Sequence, residues 1–361
     1  MSNRQTLSDQ PATQAGLSIV EIMVALVLGA LLTLGLVQIF TSNSQSFRVN
    51  EAVARAQESG RIATDMLARA LRNTGYFGCF PANGIENNLD PAGDGYDERL
   101  HVFREEGIFS SNNAADRPVN AITGTDWFAL SGLRSPGITI FSENNINSVV
   151  FDVNQTVDEL VSGSIIMVSN CNNGDIFQLT SDPQNIGSGQ VRLQANSGSG
   201  EPGNDFTGNS PAGCSSGSNC FSAVYPPGAQ ILFPYNEEYF IGTGTSGRRA
   251  LFVTTTAAGG AANTIELVDG VEDMRVRYGL GNASAGVANW EANPNSVTNW
   301  GNVVAVQVSL LVRAGADNVL ESPMSDCFPS WADCSGGDNF QATDGALYRV
   351  YSFTTTLRNR I

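Results

Sequence analysis

From Leu17 to Phe40 the chain reads LSIVEIMVALVLGALLTLGLVQIF, 24 residues with a single charge, Glu21. At about 1.5 Å per residue this segment spans roughly 36 Å as a helix, enough to cross the hydrocarbon core of a bilayer. A secretory signal has a shorter apolar stretch with a small-x-small cleavage site behind it, whereas TSNSQSF follows here. Residues 1–16 are polar and contain Pro11, so the apolar helix begins after them. Glu21 is the exception within the run. A carboxylate in a membrane helix costs about 2.5–3.5 kcal/mol at mid-bilayer and less near an interface. Such a residue either reaches the headgroups or is held by a partner charge.

Composition removes several kinds of chemistry. The 361 residues carry 19 basic and 35 acidic side chains, a net charge of −16, and every basic residue is Arg. Without Lys there is no Schiff base, no phosphate-loop lysine and no polybasic anchor. His101 is the sole histidine, so a His-rich metal site cannot form, and a Ser–His or Cys–His pair would need that one residue. A domain this acidic repels a bare phosphate backbone, which argues against nucleic acid as a direct partner.

Beyond the apolar run the pattern stays helical. Phe47, Val49, Ala52, Val53, Ala56, Ile62, Ala63, Met66, Leu67, Ala70 and Leu71 recur at three- and four-residue steps, while Arg48, Arg55, Arg61, Arg69 and Arg72 lie mostly off that stripe. Gly75 supplies a stop. One helix from about Ser18 to Thr74 is expected, its first half in lipid and its second half laid on a folded domain. Ala25, Gly29 and Thr33 are small residues four apart within the apolar half. That spacing permits close helix–helix approach, and it equally suits a helix that simply faces lipid.

Gly16, followed by Leu17-Ser18-Ile19-Val20-Glu21 and the apolar run, resembles the type III signal of type IV pilins. In that family a membrane prepilin peptidase cuts after the Gly and methylates the new α-amine. The resemblance therefore implies cleavage between Gly16 and Leu17, N-methylation of Leu17, and Glu21 as the acidic fifth residue of the mature chain. A cationic amine and a carboxylate attract strongly at low dielectric, so pairing Glu21 with a neighbouring subunit's N-terminus would fix the axial register of assembly. Leu17 stands where Phe is usual, and the leader has one Arg and one Asp instead of several basic residues.

From Tyr76 onward the periodicity changes to two. Val304, Val306, Val308, Leu310 and Val312 share one face of Asn302–Arg313; Met274, Val276 and Tyr278 alternate with Arg275 and Arg277; Tyr351, Phe353 and Leu357 share a face of the last strand. Shorter strands are expected at Ile138–Phe141, Ser164–Ser169, Ile176–Thr180, Gln230–Phe233, Ala250–Thr254 and Leu100–Arg104, with residues 195–220 as a mobile surface loop. The segment Leu267–Gly279 (LVDGVEDMRVRYG), the strand ending LLVRA, the terminal TTTLRNR and the GYFGC run at Gly75–Cys79 resemble PilW-type minor pilins. The fold this implies is α+β: a pilin-like long N-terminal helix packed on an antiparallel sheet, with a large β-rich insertion. The divisions are a leader (1–16), a transmembrane and assembly helix (17–40), an amphipathic stalk (41–75) and a periplasmic β-rich domain (76–361).

The six cysteines, Cys79, Cys171, Cys214, Cys220, Cys327 and Cys334, all follow the membrane segment, as suits an oxidising periplasm. Local spacing favours Cys214–Cys220 and Cys327–Cys334, leaving Cys79–Cys171 to tie the stalk's end to the sheet. With no CxxC pair and one His, a zinc site lacks ligands.

Three motifs mimic chemistry. Gly242–Gly247 matches GxGxxG, but strand-forming residues follow where a dinucleotide site needs a helix. Gly213–Gly217 matches GxSxG inside a Gly/Asn loop, with His101 upstream instead of downstream. Asp90, Asp94 and Asp97 could offer oxygens to Ca²⁺, yet their spacing fits no EF-hand. The expectation is a protein without catalytic residues, cofactor or metal. By resemblance its partners are other minor pilins, the major pilin, the prepilin peptidase and the inner-membrane assembly platform. The implied location is the bacterial inner membrane and then the pilus. A type II secretion pseudopilin shares the same signal and stalk, and a singly anchored periplasmic protein that never polymerises shares the anchor.

Overall fold

The computed structural model describes residue 16 and residues 18–76, 78, 84–198, 200–256, 262–282, 284–314 and 317–357. One uninterrupted helix runs Ile19–Asn73, 55 residues, or about 82 Å at the usual rise. Ser18 caps its start, and Thr74 ends it with an extended backbone. Gly75 follows at φ +69°, a left-handed conformation that side-chain-bearing residues avoid.

The two halves of this helix have different surroundings. Residues 19–43 are exposed throughout, whereas Ala52, Ala56, Gly60, Ala63, Leu67, Ala68 and Leu71 are buried. The contact begins at Gln45, whose Nε2 donates to the Val319 carbonyl at 2.5 Å. Ala52, two turns on, lies on the same side of the helix as Gln45. Phe47 does not: two residues is about 200° around the axis, and Phe47 is 70 % exposed instead of joining the stripe. Ile62 also leaves the stripe, as an exposed residue. At Gly60 the absent side chain is the point, because a Cβ there would overlap the Tyr351 ring.

The helix lies on a four-stranded antiparallel sheet in the order Gly286–Glu291, Val271–Asn282, Val303–Arg313, Tyr348–Thr356. Met274, Val276, Val308 and Leu310 on its inner face form one core with Ala63, Leu67 and Leu71 of the helix. Two details depart from the alternation of the sequence. A bulge opposite Gly279/Leu280 adds a residue to the Val303–Arg313 strand, so Val303, not Val304, joins that core. The strand's outer face is covered as well, since Leu311 packs with Phe328, Ala346 and Tyr348 from the segment that follows it.

The insertion builds a second, larger sheet around the long strand Gln230–Thr243, which pairs antiparallel with Phe128–Ser142, Ile165–Ser169 and Arg249–Thr256. Tyr239 and Ile241 of that strand face the helix core, while Phe240 faces the other way onto Trp127 and Ala129. The distal part of the insertion has its own aromatic core, where Phe221 meets Phe151, Phe177, Phe206 and Tyr225. Residues 195–220 are therefore not merely a surface loop. Phe206 is 1 % exposed, and Asn204 imitates a strand partner: the Gln178 N–H donates to its Oδ1 at 2.6 Å and its Nδ2 donates to the Gln178 carbonyl at 2.8 Å. The expected strand at Leu100–Arg104 is also corrected. Glu98–His101 is a helical turn capped by Asp97, whose carboxylate accepts from the Arg99 N–H.

Candidate functional site

The N-terminal end of the helix holds the residues that the signal singles out. Leu17 lies outside the described residues; Gly16 and Ser18 are exposed on either side of it. Ser18 Oγ accepts the backbone N–H of Glu21 at 3.2 Å, and the Ser18 carbonyl accepts from Ile22. Glu21 thus sits at the third helical position of a Ser-x-x-Glu start, where a carboxylate also favours the positive end of the helix dipole. This role went unread in the sequence although the spacing displays it. Because Ser18 lies beyond the Gly16–Leu17 bond, the cap would survive cleavage there.

Farther along, Ala25, Gly29 and Thr33 are exposed on one face, and the space around Gly29 is open. Thr33 Oγ1 donates to the Gly29 carbonyl at 2.7 Å, so its hydroxyl is satisfied within the helix and presents no unpaired donor on the apolar face. Among the described residues one helix is long and apolar enough to cross a membrane; its apolar window has a mean hydropathy of 2.5 and none of it is buried.

The remaining singled-out residues have structural positions. Cys214–Cys220 and Cys327–Cys334 form as the spacing suggested. Cys171 is disulfide-bonded too, while Cys79 lies outside the described residues. Gly242–Gly247 is the tip of a hairpin, closed by the Gly244 N–H donating to Arg248 and the Gly247 N–H to Gly244. Gly213–Gly217 lies in the loop stapled by Cys214–Cys220. Asp90 accepts from the Ala92 N–H in a turn, and Asp94 is exposed. Asp97 caps the Glu98–His101 turn and pairs with Arg99 at 2.6 Å. His101 is buried, stacked on Tyr96, with Nδ1 accepting the Asp97 N–H at 2.8 Å.

One buried and one half-buried carboxyl are electrostatically unusual. Burial pushes Glu238 up to about 7 against the pull of Arg99, and among the described residues its Oε1 has no hydrogen-bond partner. Burial likewise pushes Asp273 up to about 6, opposed by Arg275. A groove of about 1190 Å³ opens between the last helical turns and the larger sheet. Its walls mix Arg72, Tyr235, Glu237, Val253 and Ile265.

Residues 238–359 match the family described as Type IV Pilus-assembly protein W. Over this segment the chain is a PilW-type type IV pilus protein. No curated protein and no solved structure matches it. The PilW segment takes in the end of the long Gln230–Thr243 strand, the hairpin after it and the whole four-stranded sheet that receives the helix. The aromatic core of the insertion lies outside the segment. The PilW-type segment thus includes the platform for the stalk, and the insertion's larger sheet joins the same core through Phe128, Leu130 and Tyr239.

Proposed function

We propose that this chain is a minor pilin that is processed between Gly16 and Leu17, primes type IV pilus assembly and enters the filament at or near its tip. The observation that carries the reading is the division of a single helix. Its distal half is committed to the PilW-type sheet, and its apolar half, with Glu21 and the Ala25–Gly29–Thr33 face, is left uncovered for lipid or other helices. Glu21 answers the methylated amine of Leu17 on an adjoining subunit; the small-residue face lets helices approach. Partners are then other minor pilins, the major pilin, the peptidase and the inner-membrane assembly platform. The chain performs no chemistry itself, and a separate ATPase drives polymerisation. Twitching motility, adhesion or DNA uptake follow downstream. A type II secretion pseudopilin is the nearest alternative, distinguished by whether deletion abolishes surface pili or exoprotein release.

The test is mass spectrometry of the mature chain together with a pilus count for Glu21→Ala. An N-methylated Leu17 and a several-fold loss of surface pili are expected. A retained Met1 with an unchanged pilus count would leave a singly anchored periplasmic protein as the better reading.

A further inference from the structure

The outer face of the four-stranded sheet, turned away from the helix, carries an arginine that meets no acid among the described residues. Arg277 lies at the middle of the sheet, paired in register with Gln307. Its guanidinium carbon stands 4.8 Å from the centre of the Trp290 ring and 4.9 Å from that of Trp331. The two indoles come from opposite sides. Trp290 is on the edge strand Gly286–Glu291, next to the Arg277 strand, while Trp331 rides on the Cys327–Cys334 loop. That loop is fastened over the neighbouring strand on the other side, where the Ser330 N–H donates to Ser309 Oγ at 3.0 Å. Phe328, 7 % exposed, plugs the loop into the sheet.

Between these walls Arg277 Nε donates to Gln307 Oε1 at 2.7 Å. Among the described residues neither terminal nitrogen makes a hydrogen bond or ion pair. The contrast within the chain is direct. Arg313 holds Asp317 and Asp344, and Arg275, two residues away on the same face, holds Asp273. In a chain with 35 acidic residues and a net charge of −16, an acid partner was readily available, and among the described residues Arg277 has none. Burial lowers its basicity slightly, with no carboxylate to offset the effect. The side chain is half-buried, as are both indoles. Its plane is set by two aromatic walls and one hydrogen bond, leaving the terminal fork unpaired. A guanidinium oriented in advance loses little freedom on binding and matches a carboxylate through two parallel hydrogen bonds. Trp and Arg together are also the side chains that dominate the energetic centres of protein contacts.

We infer that the Arg277 fork, framed by Trp290 and Trp331, is a contact site for a carboxylate side chain of a neighbouring pilus subunit. A protein carboxylate suits it better than a phosphate, because the surrounding net charge opposes polyanions while tolerating a single buried charge pair. It suits the site better than a stacked sugar acid, because each indole already spends one face on the guanidinium. The subunit as the source of the carboxylate rests on the assembly reading above; the carboxylate site itself does not.

The test uses the full chain in detergent and follows tryptophan fluorescence during titration with N-acetyl-glutamate amide, its glutamine counterpart and glucuronate. The glutamate probe is expected to change the emission saturably, about tenfold more weakly with Arg277→Gln, and the glutamine probe to leave it unchanged. Arg277→Lys keeps the charge and the fold while removing the fork, so it should lose affinity nearly as far. Equal responses from wild type and both variants would overturn the site. Glucuronate binding more than about tenfold tighter than the glutamate probe would overturn the protein source in favour of an acidic glycan. In cells, Arg277→Lys should lower pilus number while Leu17 remains processed; unchanged pilus number with normal processing would overturn the subunit contact. Loss of processing in the wild type would instead count against the assembly reading and leave the titration standing.

Discussion

The two halves of the Ile19–Asn73 helix share a backbone geometry and differ in what they lean on. In residues 19–43 no side chain is buried, and Leu26, Leu32 and Phe40 are each more than 60 % exposed. In the distal half Ala63, Leu67 and Leu71 are at 0 %. Helical propensity alone cannot separate these halves. The difference lies in the residues that approach. Small side chains at Ala52, Ala56, Gly60 and Ala63 let the distal half settle closely on the sheet, whereas the proximal half has a broad apolar surface all round, which fits a membrane anchor.

The comparison can be broken most forcefully at Leu67. Leu67→Ala removes a fully enclosed side chain and should cost about 3 kcal/mol in a denaturant melt of the domain. Leu31→Ala, in the uncovered half, should leave the same melt unchanged. Equal losses would mean that the proximal half also packs on the domain.

A second measurement sharpens the comparison by placing the pH sensitivity of folding outside the apolar half. Glu238 rises from an ordinary 4.5 to about 7 in the folded chain. Between those values the folded state binds more protons than the unfolded one, so this group's contribution to stability falls as pH rises through the window. The fall amounts to no more than about 3 kcal/mol. Asp273 acts in the same direction over a narrower range. Glu238→Gln should flatten most of the decline between pH 5 and 8. Melts of wild type and variant that run parallel across that range would exclude Glu238 as its source.

The glycines offer a smaller contrast with opposite signs. Gly60→Ala drives a methyl into Tyr351 and should destabilise by about 1–3 kcal/mol. Gly29→Ala meets open space and should raise helicity slightly without moving the domain melt. Circular dichroism read alongside the melt separates the two. Smallest of all are the exposed stalk ion pairs Arg55–Glu51 and Arg69–Asp65. Replacing Arg55 with Ala should cost about 0.3–0.5 kcal/mol, and less in high salt.

Much of this was legible because it is local. The apolar run, the stripe through Ala52, Ala56, Ala63 and Leu67, the stop at Gly75 and the alternation of Met274, Val276 and Tyr278 depend on spacing within one element. So do the two short disulfide loops. What escaped depends on residues distant in the chain. Asn204 becomes a strand substitute only because Gln178 is brought beside it. Val304 slips out of register because a bulge forms against Gly279. The outer face of Val303–Arg313 is buried by a loop whose sequence gives no sign of where it folds back. Leu100–Arg104 was misread for a different reason: an Asp cap two residues before Arg99 outweighs a weak alternation of period two. At the N-terminal site the Ser18-x-x-Glu21 spacing displays the cap locally, within one helical turn. Arg277 reads as an ordinary outward strand residue until Trp290 and Trp331 are seen on either side of it.

Only four residues separate Phe40 from Gln45, the first side chain that holds the domain, and all of them are helical. The stalk therefore has no swivel. Inserting one residue in that interval would turn the head by about 100° and lift it about 1.5 Å relative to the apolar half. An apolar half held in one orientation would therefore hold the head in one orientation too, so a turn imposed at one end of the helix is delivered at the other.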